Sequence, residues 1–231
     1  MSATMQDANV HAGAGANGGD APQPRPQVSA FRLIATLGVA GAVAGGLIVT
    51  VFQWAEPRIL HHQAQAIAQA VDEVLQGPDR TETLFVWDGA LVAAPPAGVD
   101  TLQLDRVWAG YDGSGNRVGF AIIGGEAGFQ DIILVMFGYD PVTSRLMGMR
   151  ILDSKETPGL GDKIFKDEVF VDQFRTAQVP MVPTKPGAGT GDPREVDTIT
   201  GATISARTVI NIINNRIARM TPLLETVGGG P

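Results

Sequence analysis

Cysteine is absent from all 231 residues, and histidine occurs only at His11, His61 and His62. Beyond residue 62 the chain therefore lacks the two residue types that supply most ligands of zinc, haem and iron–sulfur clusters. A Ser-His-Asp or Cys-His triad is excluded there for the same reason. His61-His62 has no third ligand near it and reads as an interfacial or surface pair. No disulfide supports the fold, which is neutral about compartment. Positive charge is also in short supply. Lysine and arginine number 17 against 24 acidic residues, a net charge of −7, and the first 32 residues sum to zero, so the acidic excess lies beyond them. Such a domain is poorly suited to nucleic acid. No dinucleotide-binding fingerprint is present either. If the domain moves electrons, its carrier must be organic.

A hydrophobic content of 44% supports a real core. Residues 1–30 are rich in Gly, Ala, Pro and Asn and cannot bury enough apolar surface to offset ordering, so they read as a disordered cytoplasmic tail. Residues 33–52 then run without a charge. At about 1.5 Å per residue, that length crosses a hydrocarbon core of roughly 30 Å, and a transmembrane helix is expected over 31–54. Arg25 and Arg32 precede the charge-free run, while Arg58 follows with Glu56 alongside, a bias that puts the following domain in the periplasm of a bacterial inner membrane. Gly41 and Gly45 form a GxxxG pair that permits close helix packing.

Beyond the span, apolar Ala66, Ile67, Ala70, Val71, Val74 and Leu75 predict a helix over 64–75, stopped by Gly77-Pro78. Short strands are expected at 84–87 and 91–93 around Asp88-Gly89. Two hairpins follow, 107–111 with 118–123 and 132–139 with 146–152, each around a turn-forming cluster. The glycine-rich 124–128 suits either a tight connection between them or the wall of a ligand pocket, the connection being the preferred reading. A helix is expected over 169–176, an irregular proline- and glycine-rich loop over 180–194, and a short flexible end over 225–231. The fold class is α+β: one membrane helix, a membrane-proximal segment over 55–100, and a single domain over 101–224 with an antiparallel sheet packed by helices.

Residues 197–205, DTITGATIS, precede the most one-sided helical pattern in the chain. Val209, Ile210, Ile212, Ile213, Ile217 and Met220 recur at three- and four-residue spacing, with Arg207, Asn211, Asn214, Asn215 and Arg219 between them. The helix starts near Thr203 to Ser205. Its first turn offers unpaired amides and the positive end of the macrodipole, to which a phosphate is attracted without a lysine cluster. Gly201 and Ala202 let a ligand approach the backbone. In the plainer reading, Thr203 or Ser205 merely caps the helix.

The (S/T)GAT segment at Thr200-Gly201-Ala202-Thr203, and the KETPGLGDK of residues 155–163, resemble in order and spacing the two motifs of the FMN-binding domain family. Within that family the chain is similar to the G subunits of Rnf-type electron-transport complexes, the C subunits of sodium-pumping NADH:quinone reductases being near relatives. The resemblance covers residues 107–222. Ser154 stands where many relatives have His, Thr200 where Ser or Ala is commoner, and Gly128-Phe129-Gln130-Asp131 lacks the closing glycine of a family turn.

What the resemblance implies is FMN held by a phosphoester bond to Thr203. Contacts are then expected from Thr200, Gly201, Ala202, Ser205, Glu156, Thr157, Gly159, Leu160, Gly161, Lys163 and Asp197. Ser205 is a minor rival for attachment. Thr157 would bond the ribityl chain and Lys163 offset phosphate charge. Asp197 either aids recognition by the attaching enzyme or fixes the turn, with Glu195 as a substitute. No histidine base lies near Thr203, so attachment calls for another protein; by the resemblance, that protein is a flavin transferase acting on FAD. The expected role is electron transfer between the other subunits of an Rnf membrane complex that couples ferredoxin and NAD to ion transport. The C-type chain of the quinone reductase, a noncovalent flavin module and a purely structural assembly protein are the alternatives.

Overall fold

The structure, a computed structural model, describes residues 29–227. The expected tail over 1–28 and the end at 228–231 lie outside the described residues, as do the side chains of 57–61, His61 among them. The chain divides into two compact units, Met1–Glu56 and Pro57–Pro231. Helix α1 (Ala30–Val74) carries both the apolar segment and the amphipathic segment expected at 64–75. Within it Ala30–Glu56 is long and apolar enough to cross a membrane. Leu37, Val43, Leu47 and Ile48 are exposed there, as lipid-facing side chains would be.

In the second unit, six antiparallel strands form one sheet in the order β2-β1-β3-β4-β5-β6. They are β1 (Arg80–Trp87), β2 (Ala90–Val92), β3 (Arg106–Tyr111), β4 (Arg117–Ala127), β5 (Ile132–Asp140) and β6 (Arg145–Asp153). The expected hairpins are present, and their turns have local causes. Asp88 and Gly89 both take positive φ, as a tight two-residue hairpin demands. Asp112 accepts hydrogen bonds from the Ser114 and Asn116 amides and closes the β3–β4 turn. The glycines expected in a connection at 124–128 instead lie mostly inside β4, which runs on to Ala127 paired with Ile132. Gly124 and Gly125 interrupt the apolar alternation that marks a strand, which is why alternation alone ends it at 123.

Alternation along β4 and β5 sorts side chains onto two faces. Phe120, Ile122, Val135 and Phe137 join the main core, which includes the buried face of the last helix, α4 (Thr203–Val227). Ala121 and Met136 point the other way, into a smaller cluster with Ala70, Val71, Val74 and Leu75 at the end of α1 and just beyond. Two glycines permit these close approaches. A Cβ on Gly124 would lie 2.6 Å from Ile212 of α4, and one on Gly138 would strike the Val74 carbonyl oxygen.

Between β6 and α4 the chain forms α2 (Lys163–Lys166), α3 (Glu168–Gln173), β7 (Val182–Thr184) and β8 (Glu195–Asp197). The helix expected at 169–176 is α3, shorter and started by Asp167, whose side chain accepts from the Phe170 amide. The 180–194 loop is more ordered than its composition implies. β7 pairs with β8 in parallel, and Asn214 of α4 both donates to the Met181 carbonyl and accepts from its amide. The six apolar residues that predicted α4 are all buried, each contributing about 1.5–3 kcal/mol. The helix continues to Val227, past the expected boundary at 225.

Candidate functional site

Two turns of the same design meet at the start of α4. In Thr157-Pro158-Gly159-Leu160 the Leu160 amide donates to the Thr157 carbonyl at 3.1 Å, and Gly159 has φ +80°. In Ile199-Thr200-Gly201-Ala202 the Ala202 amide donates to the Ile199 carbonyl at 3.0 Å, and Gly201 has φ +84°. A positive φ at the third position is the type II signature, which glycine adopts without a steric penalty. Asp162 locks the first turn, accepting from the Gly159 amide at 2.8 Å and from Lys166 at 2.6 Å. The Lys166 ammonium holds the Asp162 carboxyl below its ordinary pKa.

Ala202 immediately precedes α4, so the residue at the cap position has no side-chain acceptor. The reading of Thr203 or Ser205 as the cap is corrected here: both lie inside the first turn. Their hydroxyls have opposite fates. Thr203 is exposed, and its Oγ1 donates to the Ile199 carbonyl at 3.1 Å. Ser205 is buried, and its Oγ donates to Glu156 at 2.7 Å. The Ser205 proton is thus committed to a buried carboxylate, whereas Thr203 faces outward.

A cavity of about 310 Å³ opens at this turn, lined by Phe129, Glu156, Thr157, Leu160, Gly161, Gly201, Ala202, Thr203, Ile204 and Ser205. Its size falls at the low end of ligand cavities, about 300–1,000 Å³. Phe129, Leu160 and Ile204 are large apolar side chains exposed at its rim. Sequence reasoning passed over Phe129 and Ile204. Ile204 did carry a signal, since it falls off the apolar stripe of its own helix.

Other expected contacts are placed differently. Thr200, Lys163 and Asp197 line a neighbouring groove of about 520 Å³ with Phe170 and Ile199, and Gly159 shapes its turn without lining the cavity. The Lys163 ammonium is 3.8 Å from where a Cβ on Gly201 would lie, and it has no ion-pair partner among the described residues. The Thr157 hydroxyl donates to the Gln130 side chain at 2.7 Å, which commits its proton within the protein. The Asp197 carboxylate ties down the loop after β7, not the 199–202 turn: it accepts from the Thr184 hydroxyl at 2.7 Å and the Gly187 amide at 3.0 Å. Those bonds, the Gly187 amide foremost, keep its carboxyl below the ordinary pKa. In the same loop Glu195 accepts from the Thr190 and Gly191 amides.

The cavity suits a phosphate-bearing aromatic ligand in two respects: a helix N-terminus opens onto it, and its rim is apolar. The Lys163 ammonium belongs to the neighbouring groove.

Residues 128–218 match the model of the FMN-binding domain. Over 188 residues the chain is 30% identical to the G subunit of the ion-translocating oxidoreductase complex of Yersinia pestis, covering 78% of this chain and 85% of that protein. The G subunit from Methanosarcina acetivorans is 27% identical over 186 residues, 80% and 92% of the two chains. Among solved structures, Shewanella oneidensis NqrC superposes with a TM-score of 0.62 at 15% identity, over 72% of this chain and 99% of that one. The C subunit of a Na(+)-translocating NADH-quinone reductase from Parabacteroides distasonis has a TM-score of 0.50 at 23% identity, over 62% and 77%. At these identities the structural likeness is one of fold.

Proposed function

Because the chain belongs to the family of G subunits of ion-translocating oxidoreductase complexes, we propose that it is the electron-transfer subunit of an Rnf-type membrane complex and carries FMN as a phosphoester on Thr203. The observation that carries this reading is the contrast of two hydroxyls on one helical turn: Thr203 is exposed at the cavity, and Ser205 is buried under Glu156. Loading joins Thr203 Oγ1 to the FMN phosphorus of FAD, breaks the pyrophosphate bond and releases AMP, with the hydroxyl proton passing to a base on the flavin transferase. The chain has no histidine after residue 62 to serve as that base.

Bound flavin would supply one- and two-electron chemistry. The chain's part is to hold it. The first-turn amides and macrodipole of α4 stabilise the phosphate, and the Lys163 ammonium adds a positive charge. The rim formed by Phe129, Leu160 and Ile204 shields one side of the ring from water. Anchoring by Ala30–Glu56 with the domain in the periplasm fits Arg25 and Arg32, which precede the charge-free run 33–52. Residues 33–52 contain no charge, so ion translocation, and the reactions of ferredoxin and NAD, belong to partner subunits. The sequence relatives at 27–30% identity are G subunits, whereas the likeness to NqrC rests on fold, and this favours the G over the C assignment.

Intact-mass measurement and peptide mapping of denatured protein, made in a host with a flavin transferase, tests the reading. One FMN on the peptide containing Thr203, lost in Thr203→Val, is expected. Unmodified wild type would overturn it.

A further inference from the structure

Glu156 is buried, carries a carboxylate, and has no basic partner among the described ion pairs. Its oxygens are satisfied by three donors from two other segments. Oε1 accepts from the Phe129 amide at 2.8 Å and the Gln130 amide at 3.1 Å, both in the turn after β4. Oε2 accepts from Ser205 Oγ at 2.7 Å, in the first turn of α4. Three of its roughly four acceptor positions are thereby used. A side chain so occupied is built to hold protein together rather than to grip a ligand.

The surroundings are shaped to admit this carboxylate. A Cβ on Gly128 would strike Oε1, and a Cβ on Gly161 would strike Oε2 and lie 2.7 Å from the Glu156 Cβ and 3.0 Å from Ser205 Oγ. Both glycines are thus needed for space, unlike Gly159 and Gly201, which are needed for φ. Thr157 adds a parallel tie to Gln130. The three segments so joined, 128–130, 156–161 and 201–205, all line or border the cavity at Thr203.

We propose that Glu156 is a positioning residue for the loading of Thr203: its carboxylate fixes the first turn of α4 against the two loops, so that the Thr203 hydroxyl is presented to the incoming phosphate. The inference rests on the reading that Thr203 is the attachment site. Thr203 and Ser205 share one helical turn, so the bond that immobilises Ser205 also sets the direction of Thr203. A displacement of about 1 Å at a reacting atom lowers a rate by about a hundredfold. The nearby negative charge is tolerated because amides and the helix N-terminus, rather than a cation, offset it.

The test is in vitro loading of the full-length apo chain in detergent by a flavin transferase with FAD, followed by intact mass. Glu156→Ala is expected to lower kcat for loading about 30-fold or more with little change in KM for the chain. Amide exchange in β4 and β5 should stay slow, while the Phe129 and Gln130 amides exchange faster. Glu156→Gln keeps an oxygen for both amides and offers its NH₂ to Ser205 Oγ, so it should load within about threefold of wild type. Wild-type loading of a folded Glu156→Ala protein would overturn the proposal, as would Glu156→Gln failing as badly as Glu156→Ala. If Glu156→Ala does not fold, Ser205→Ala decides: slowed loading restored by Ser205→Thr supports the role, and wild-type loading removes it. Failure of the underlying reading looks different, because wild type itself would then take no FMN on Thr203.

Discussion

The sheet from β1 to β6 and the stretch from Ser154 to Ala202 are ordered by different forces. In the sheet, backbone ladders pair strand to strand and alternating side chains fill two apolar layers. In the later stretch the short elements make few ladders, and six carboxylates do much of the ordering. Glu156, Asp162, Asp167, Asp192, Glu195 and Asp197 each accept at least one backbone amide. Carboxylates as staples make a region precise but conditional, because its geometry depends on ionisation and on glycines that leave room. Apolar layers depend on volume instead.

The largest effect expected outside the attachment site itself is on the sheet. In Gly138→Val the new side chain must displace the Val74 carbonyl, part of the helix backbone that packs there, and overpacking of this kind costs about 1–3 kcal/mol or more. Denaturant midpoints should fall sharply for a protein whose loading, when folded, is normal. Gly161→Ala is the counterpart in the loop region. Its methyl meets Glu156 and Ser205, so about 1–2 kcal/mol is expected, accompanied by slower loading of Thr203. Equal loading in both variants would erase the distinction drawn between the regions.

Acid sharpens the contrast further. Asp197 has a folded-state pKa depressed below its ordinary 3.8, the Gly187 amide being the main cause. The stability it adds is fully present above that ordinary value and is lost as pH falls through the lower folded-state pKa. Exchange of the Gly187 amide in native protein should therefore rise below about pH 4 in excess of its intrinsic pH dependence, before the β4–β5 amides respond. Asp197→Asn should abolish that step at a cost of about 1 kcal/mol at neutral pH. The smallest effect belongs to the cavity rim: Ile204→Asn should change unfolding free energy by less than about 0.5 kcal/mol, since the side chain is already exposed.

Much of the sheet and of α4 was legible from residue order because each rests on a local period. Alternation of two set the hairpins, spacing of three and four set the buried face of α4, and Asp88-Gly89 and the Asp112 cluster marked their turns. Where period failed, the reading failed with it. Gly124 and Gly125 broke the alternation of β4, and the proline-rich 180–194 hid β7, whose partner lies across the loop. Helix α2, only four residues long, was too short to show any period.

By itself the sequence determined that the domain holds no histidine or cysteine beyond residue 62, that one segment can span a bilayer, that the class is α+β, and that a hydroxyl-rich glycine turn opens the last helix. Each of these is a property of composition or of neighbours along the chain. Only the tertiary structure decided which hydroxyl of that turn is exposed and which is buried, that Lys163 and Asp197 flank a neighbouring groove, and that Glu156 clasps residues 26, 27 and 49 positions away. Those outcomes depend on which donors the fold brings within about 3 Å of a buried carboxylate, and no local pattern encodes a pairing between segments so far apart.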